Sequence, residues 1–407
     1  MKIIYPHSKK IEKLYQRMVI NRRVQERVRR IIEDVRLFGD EAIIKYTKKF
    51  DKVKLTPKQL HVSSIEISAA YQNISSDFIT SLKLIFENIR RFYSKQMRKA
   101  SRIKDSDGVC ITERYQPLEK IGIYIPAGTA PLVSTVYMTA IPAKVAGVKK
   151  IVLASPPDKN GNINPYILVV ADLLKVDEIY RVGGAQAIAG MAFGTKTIPR
   201  VDKIFGPGNI YVTEAKRQVF GFVDIDMLAG PTELVIIANR FSNTDFIVAD
   251  LKAQAEHNKG LCILITNSRK KAKEIKAKME GYNGYIILTK NLEQATEIAN
   301  LIAPEHLEIL VSNPKKWLKK IKNASAVFLG NFSPVAVGDY IAGPSHVLPT
   351  QGSARFFSGL SIFDFMKDIH IINYSKKGLE KIKEPLAKVA LLEGMKQHLE
   401  SVNVRIN

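Results

Sequence analysis

Ile121-Gly-Ile-Tyr-Ile-Pro126 is the stretch that decides the fold. Its apolar run has no polar alternation, as a strand buried on both faces requires, and Pro126 ends it. A helical stretch around 134–148 follows, then a second strand at Ile151–Ala154. A helix over 165–174 leads to strand Ile179–Val182, and Gly183-Gly184 opens the next helix. A strand at 201–205 stops at Gly206-Pro207-Gly208, again before a helix. Strand and helix alternating through short connections predict a parallel sheet with helices on both faces.

The alternation restarts after Gly230-Pro231. Strands are expected at Leu234–Ala238, Leu261–Thr266, Tyr285–Leu288, 307–311 and Ala326–Leu329, separated by helices at 243–257, 268–280, 292–302 and 314–322. Two similar α/β units therefore follow, with a boundary near 232–236. Upstream, Val24, Val28, Ile31, Ile32, Val35, Phe38, Ala42 and Ile43 fall on one helical face. A second helical region covers about 76–98, and a helical tail at 376–400 follows an irregular Gly- and Ser-rich stretch.

The 407 residues are 46% hydrophobic and 25% charged, which excludes a disordered chain, a collagen and a coiled coil. Two cysteines, Cys110 and Cys262, exclude a disulfide scaffold and an all-cysteine zinc site and fit a reducing compartment. No apolar run is long enough to span a membrane and no secretory signal is visible, so a soluble, cytoplasmic protein is expected. The net charge of +23 would attract nucleic acid or an anionic surface. The basic residues are dispersed, however, in groups such as Arg269-Lys270-Lys271, Lys315-Lys316 and Lys319-Lys320, interleaved with apolar positions. A solvated lysine-rich surface is the expectation, and nucleic acid is not expected as a partner.

Seven histidines are few enough to weigh singly. His7 and His61 have no candidate co-ligand nearby, and His370, in Ile369-His-Ile-Ile372, reads as a packed strand residue. Gln254 and His257 would share a helix face, able to hold a metal or simply to end a helix. Glu305 and His306 follow Pro304 at a helix-to-strand junction, where they could supply two proton acceptors of different pKa or form a plain surface loop. Ligand sites in open α/β sheets form at the carboxyl ends of strands, so this junction is at the unexpected end unless its loop folds over. Asp339 and His346 lie in a turn-rich segment, and Glu393 and His398 on the tail helix have a surface helix as their bland reading. The corners Ala127-Gly128-Thr129, Gly183-Gly184-Ala185-Gln186 and Gly206-Pro207-Gly208-Asn209 could admit a phosphate to backbone amides or be ordinary α/β loops.

Taken in order, these segments resemble the histidinol dehydrogenase family over essentially the whole chain. Gly122-Ile-Tyr-Ile-Pro-Ala-Gly-Thr-Ala-Pro131, Gly183-Gly-Ala-Gln-Ala-Ile-Ala189, Phe205-Gly-Pro-Gly-Asn-Ile-Tyr-Val212, Asp226-Met-Leu-Ala-Gly-Pro-Thr-Glu233, Gln254-Ala-Glu-His257, Ala303-Pro-Glu-His-Leu307, Gly338-Asp-Tyr340, His346-Val-Leu-Pro-Thr350 and Glu393 to His398 carry the likeness. The resemblance implies oxidation of L-histidinol to L-histidine through a bound aldehyde, with two NAD+ and one zinc. It implies zinc ligands Gln254, His257, Asp339 and His398, acid–base work by Glu305 and His306, and NAD contacts at Tyr124, Gln186 and Asn209. Substrate contacts are implied at Thr232, His306, His346, Glu393 and the zinc ligands. It further implies an intertwined homodimer in which the tail completes the partner's site.

The expected fold class is α/β, with two Rossmann-like units of parallel-rich sheets, an N-terminal helical arm and a C-terminal helical tail. The expected division is an arm at 1–21, a discontinuous α/β domain of 22–118 with 236–360, an NAD-binding domain at 119–235 and a tail at 361–407. The chain departs from the family pattern in a shorter 257–305 segment, in Thr232 where Ser is usual, in Ala127 where Gly is usual, and in its charge. Two other classes stay open at this point. A zinc hydrolase using Glu305 would need no NAD, and a basic nucleic-acid-binding protein would show salt-dependent binding.

Overall fold

The computed structural model describes residues 1–15, 21–98, 100–127, 131–257 and 260–406, so the corner at Gly128-Thr129 lies outside the described residues. In chain order the strands are β1 (Lys2–Ile4), β2 (Ser101–Lys104), β3 (Cys110–Pro117), β4 (Lys120–Tyr124), β5 (Lys150–Ser155), β6 (Glu178–Arg181), β7 (Lys203–Phe205), β8 (Asp224–Ile225), β9 (Glu233–Ala238), β10 (Leu261–Thr266), β11 (Tyr285–Leu288), β12 (His306–Leu310), β13 (Ala326–Leu329) and β14 (Met366–Asn373). They form two parallel sheets and one antiparallel sheet.

The first parallel sheet has the order β6-β5-β4-β7-β8 and the second β1-β11-β10-β9-β12-β13. Counted from the first strand of each α/β repeat, both read 3-2-1-4-5, so the two halves that look alike in sequence share one topology. The continuous apolar runs become central strands: Ile121 and Ile123, and Leu234 through Ala238, are fully buried. Each such side chain contributes roughly 1.5–3 kcal/mol through burial.

Three features differ from the sequence-based division. Lys2–Ile4 is an edge strand of the second sheet, and Ile11 and Leu14 join its core, so the arm is part of an α/β layer. The helices Arg22–Phe38 and Asp40–Phe50, parted at Gly39 with φ +52, share a core with Tyr124 and Val152 of the first sheet and Ile188 of the helix Gly184–Phe193, through Val28, Ile31 and Ile43. Their core is thus that of the first sheet, which the sequence could not assign, because an amphipathic stripe says that a face is buried but not which sheet buries it. Residues 97–117 group with the C-terminal segment from Met366 as a separate compact unit.

That unit holds the antiparallel sheet β14-β3-β2 and the helices Lys376–Leu392 and Lys396–Ile406, broken at Gly394 with φ +73. The carboxylate of Asp107 ties Lys377 and Lys381 at 2.8 and 2.6 Å. His370 is on strand β14 as expected, but it is exposed rather than packed. Among the described residues no helix is long and apolar enough to cross a membrane.

Candidate active site

Two arrangements gather most of the expected residues. The first is a cleft of about 560 Å³ at the carboxyl ends of the first sheet, lined by Tyr124, Gln186 and Asn209 together with Arg27, Asp51 and Tyr211. It lies where the strand order reverses, the usual ligand position in such sheets. The Tyr124 hydroxyl accepts the Gly184 N–H at 3.1 Å, joining the end of β4 to the start of the helix Gly184–Phe193. Gly206, with φ +112, packs so closely that a Cβ would stand 2.1 Å from the Tyr124 carbonyl oxygen. The corner is held by a buried ion pair: Lys216 Nζ bonds the Gly206 carbonyl at 2.9 Å and Asp226, whose Oδ2 accepts the Gly206 N–H at 2.7 Å.

At the next helix, Asn209 Oδ1 accepts the N–H groups of Tyr211 and Val212 at 2.9 and 3.1 Å. Those two amides are thus used in capping and are closed to a phosphate, against one expectation for this corner. The Gln186 amide oxygen is buried without a hydrogen-bond partner, and Asp51 Oδ2 likewise. Burial pushes the Asp51 carboxyl up to about 6. A cleft of this size with a few convergent polar groups suits a dinucleotide.

The second arrangement sits at the amino ends of the second sheet. Thr232 precedes β9, His257 and Gly260 precede β10, and Glu305 precedes β12, whose first residue is His306. Gln254 joins them because the helix Thr244–Glu256 runs back along the sheet and ends there. His257 is the residue just past that helix, with extended ψ 126 and an exposed side chain, so it leaves the helix face that it was expected to share with Gln254.

Glu305 is pinned through one oxygen. Its Oε2 accepts from the Thr232 hydroxyl at 2.5 Å and the Glu233 N–H at 2.9 Å, and the Glu305 N–H donates to Glu233 Oε1 at 3.3 Å. Gln254 Nε2 donates to the same Thr232 oxygen at 3.4 Å. Burial pushes the Glu305 carboxyl up to about 8, with the Thr232 bond and His257 opposing.

His306 is 4% exposed, and both of its ring nitrogens are buried without a hydrogen-bond partner. Nδ1 lies 3.8 Å from Glu305 Oε2 and Nε2 lies 3.5 Å from Asp339 Oδ1. Burial pushes this imidazole down to about 4, so it is neutral at neutral pH. The Asp339 carboxyl is also raised, first by burial and then by Glu305, with His306 opposing. Buried carboxyls without a counter-charge are what a bound cation would relieve.

His346 has no nitrogen to spare. Its Nδ1 lies 2.8 Å from the Asp339 carbonyl, which can only accept, so Nδ1 carries the proton. Its Nε2 then accepts from the Thr135 hydroxyl at 3.2 Å. This residue holds the backbone of Asp339 rather than offering a free donor. Glu233 and Thr135 complete the network and were not singled out in the sequence; a buried polar residue inside an otherwise apolar run was their only signal.

The oxygen and nitrogen donors Gln254, His257 and Asp339 are of the types zinc accepts. Among the described residues no three His, Cys, Asp or Glu side chains form a metal cluster, and the expected set draws only two of those types from this unit. Glu393 caps the helix Lys376–Leu392 and His398 lies on Lys396–Ile406, both exposed and both in the other unit.

A family model described as histidinol dehydrogenase matches residues 15–406. A histidinol dehydrogenase from Clostridium acetobutylicum is 48% identical over 402 residues, covering 95% of this chain and 93% of that protein. One from Carboxydothermus hydrogenoformans is 44% identical over the full length of both. The crystal structure of histidinol dehydrogenase from Elizabethkingia anophelis superimposes with a TM-score of 0.93 at 40% identity, covering 100% of this chain and 98% of that one. The chain belongs to the histidinol dehydrogenase family.

Proposed function

We propose that the chain oxidises L-histidinol through L-histidinal to L-histidine, with NAD+ held in the first cleft and zinc in the second. The observation that carries this reading is His306: a buried neutral imidazole with two unpartnered nitrogens between the carboxyls of Glu305 and Asp339. Bound NAD+ supplies the hydride acceptor, and bound zinc a Lewis-acid anchor for the amine and imidazole of the substrate. Gln254, whose amide nitrogen is engaged by Thr232, would hold the metal through its oxygen, together with His257 and Asp339.

The chain's own groups then move protons. His306, unprotonated at neutral pH, takes the hydroxyl proton as the alcohol becomes the aldehyde. Glu305, with Oε2 pinned by Thr232 and Glu233, accepts a proton from the water that adds to the aldehyde carbon. His306 takes the hydroxyl proton again as the hydrate becomes the acid. Tyr124, Gln186 and Asn209 seat the nucleotide, and His346 keeps Asp339 in place.

His398 is the fourth zinc ligand and Glu393 a substrate contact, both supplied by a second copy of the chain in a homodimer. The apolar residues that the tail leaves uncovered support this, with Leu392 87% and Val404 60% exposed. The test is direct. Purified protein with histidinol, NAD+ and zinc should form two NADH per histidine, lose activity to a chelator and regain it with zinc. A folded, zinc-loaded protein that forms no NADH overturns the reading.

A further inference from the structure

One layer beneath His306 lies a second polar layer that the reaction does not use. Glu308 is two residues along β12 from His306, hence on the same face, and is fully buried. Its Oε1 accepts the N–H of Val335, the first residue of the helix Val335–Tyr340, at 3.1 Å. Its Oε2 is buried and no N–H or O–H reaches it. The same carboxyl meets that of Asp250, on the helix Thr244–Glu256, within hydrogen-bonding range. Glu308 is buried and Asp250 half-buried, and two carboxyls in contact there do not both carry a charge, so the pair holds a shared proton. Burial and the Asp250 charge push Glu308 up to about 9; burial raises Asp250 as well, and the bond from Glu308 opposes that rise. The proton sits on Glu308 and Asp250 accepts it.

The pair joins three elements that each carry a site residue. The helix Thr244–Glu256 returns along the sheet, and four residues past Asp250 comes Gln254. The helix Val335–Tyr340 also runs back along β12, and four residues past Val335 comes Asp339. Four helical residues advance ~6 Å and two strand residues ~6.6 Å. Helices anchored at the level of Glu308 therefore deliver Gln254 and Asp339 at the level of His306, where Asp339 Oδ1 is 3.5 Å from Nε2. Gly338 assists, since its place against the Phe328 ring has no room for a Cβ.

We propose that Asp250 and Glu308 are positioning residues, a shared-proton latch that sets the register of Gln254, His306 and Asp339 for the oxidation. The link to metal binding rests on the reading of Gln254 and Asp339 as zinc ligands given above. The test compares Glu308→Gln, Glu308→Leu and the double variant Asp250→Leu/Glu308→Leu in the full-length enzyme. The measurements are kcat, KM for histidinol and for NAD+, Tm, and zinc retained against increasing EDTA.

Glu308→Gln keeps a donor for Asp250 and an oxygen for Val335, and its kcat is expected within threefold of wild type. Glu308→Leu leaves the half-buried Asp250 charge without its partner, so Tm and kcat both fall, kcat at least tenfold. The double variant removes both carboxyls and with them the one charge they share, so Tm returns to the wild-type value or above. Its kcat is expected to stay at least tenfold down, with zinc lost at lower EDTA and KM for NAD+ within twofold of wild type. A double variant that recovers kcat along with Tm shows a mere core filler, and a Gln variant as impaired as the Leu variant shows that the bonds to Asp250 and Val335 do not set the register; either overturns the proposal. Wild-type zinc content separates the two readings: enzyme without zinc refutes the ligand assignment, and the kcat pattern still decides the latch.

Discussion

The hydroxyl of Thr232 stands between Gln254 and Glu305, accepting from the amide of one at 3.4 Å and donating to the carboxyl of the other at 2.5 Å. One side chain thus connects a proposed metal ligand to a proposed base. Its donated bond favours the charged form of Glu305 and opposes the burial that raises it. Thr232→Val keeps the shape and deletes the bond. A hydrogen bond to a charged group contributes ~1.5–3 kcal/mol, so kcat at neutral pH should fall about 10–100-fold. The rising limb of the pH profile should move to higher pH, and Thr232→Ser should restore both. A Val variant with an unmoved limb would show that the hydroxyl does not tune Glu305.

The same burial sets the pH dependence. The Glu305 carboxyl, pushed up to about 8, holds its proton below that value and accepts one only above it. His306, pushed down to about 4, stays neutral across the whole working range. Histidine formation should therefore rise with pH through about 8, with no fall between pH 5 and 7 attributable to His306. Glu305→Gln should remove the limb and cost ~10²–10⁴ in histidine formation, the usual span for a positioned acid–base group. NADH from the first oxidation should be less affected, so the ratio of NADH to histidine should rise above two. A ratio that stays at two with both steps slowed equally would place Glu305 outside the hydration step.

The two parallel sheets were legible because strands buried on both faces read as unbroken apolar runs between helical stretches. The three-stranded sheet was not, because Ser101–Lys104 is exposed along its length and carries no hydrophobic pattern. Glu305 and His306 were legible as a pair but not as a site. Periodicity does not say which end of a sheet a junction occupies, and this cluster lies at the amino ends of β9, β10 and β12, opposite to the usual rule. The path back to that end is tertiary: a crossover helix ending at Gln254 and a short helix returning Asp339 along β12. Glu308 carries no signal in the sequence, and only the arrival of Asp250 and the Val335 amide gives its buried carboxyl partners.

Gly206 supplies a test of the nucleotide cleft. With φ +112 and the Tyr124 carbonyl 2.1 Å from where a Cβ would stand, alanine cannot be accepted without moving backbone. The Lys216–Asp226 pair, whose partners bond both the carbonyl and the N–H of Gly206, resists that movement. Gly206→Ala should cost more than ~2 kcal/mol of stability. In the folded fraction KM for NAD+ should rise at least tenfold, while zinc content stays at the wild-type level. An alanine variant with unchanged KM for NAD+ would put the nucleotide elsewhere.

The division of labour between the two units yields the last prediction. Glu305 belongs to the large unit and His398 to the tail unit, and the proposed site needs both. Each variant, Glu305→Ala and His398→Ala, should be inactive alone as a homodimer. In a heterodimer with sites shared across subunits, one site carries both defects and the other carries neither. Mixing under conditions that exchange subunits should therefore restore about half of the wild-type activity per heterodimer, together with one tightly held zinc. If each chain instead completed its own site, every site in the mixed dimer would retain one defect, and a purified heterodimer would stay inactive. Recovery of activity in step with heterodimer formed, followed by differently tagged subunits, separates the two arrangements without requiring either variant to bind substrate on its own.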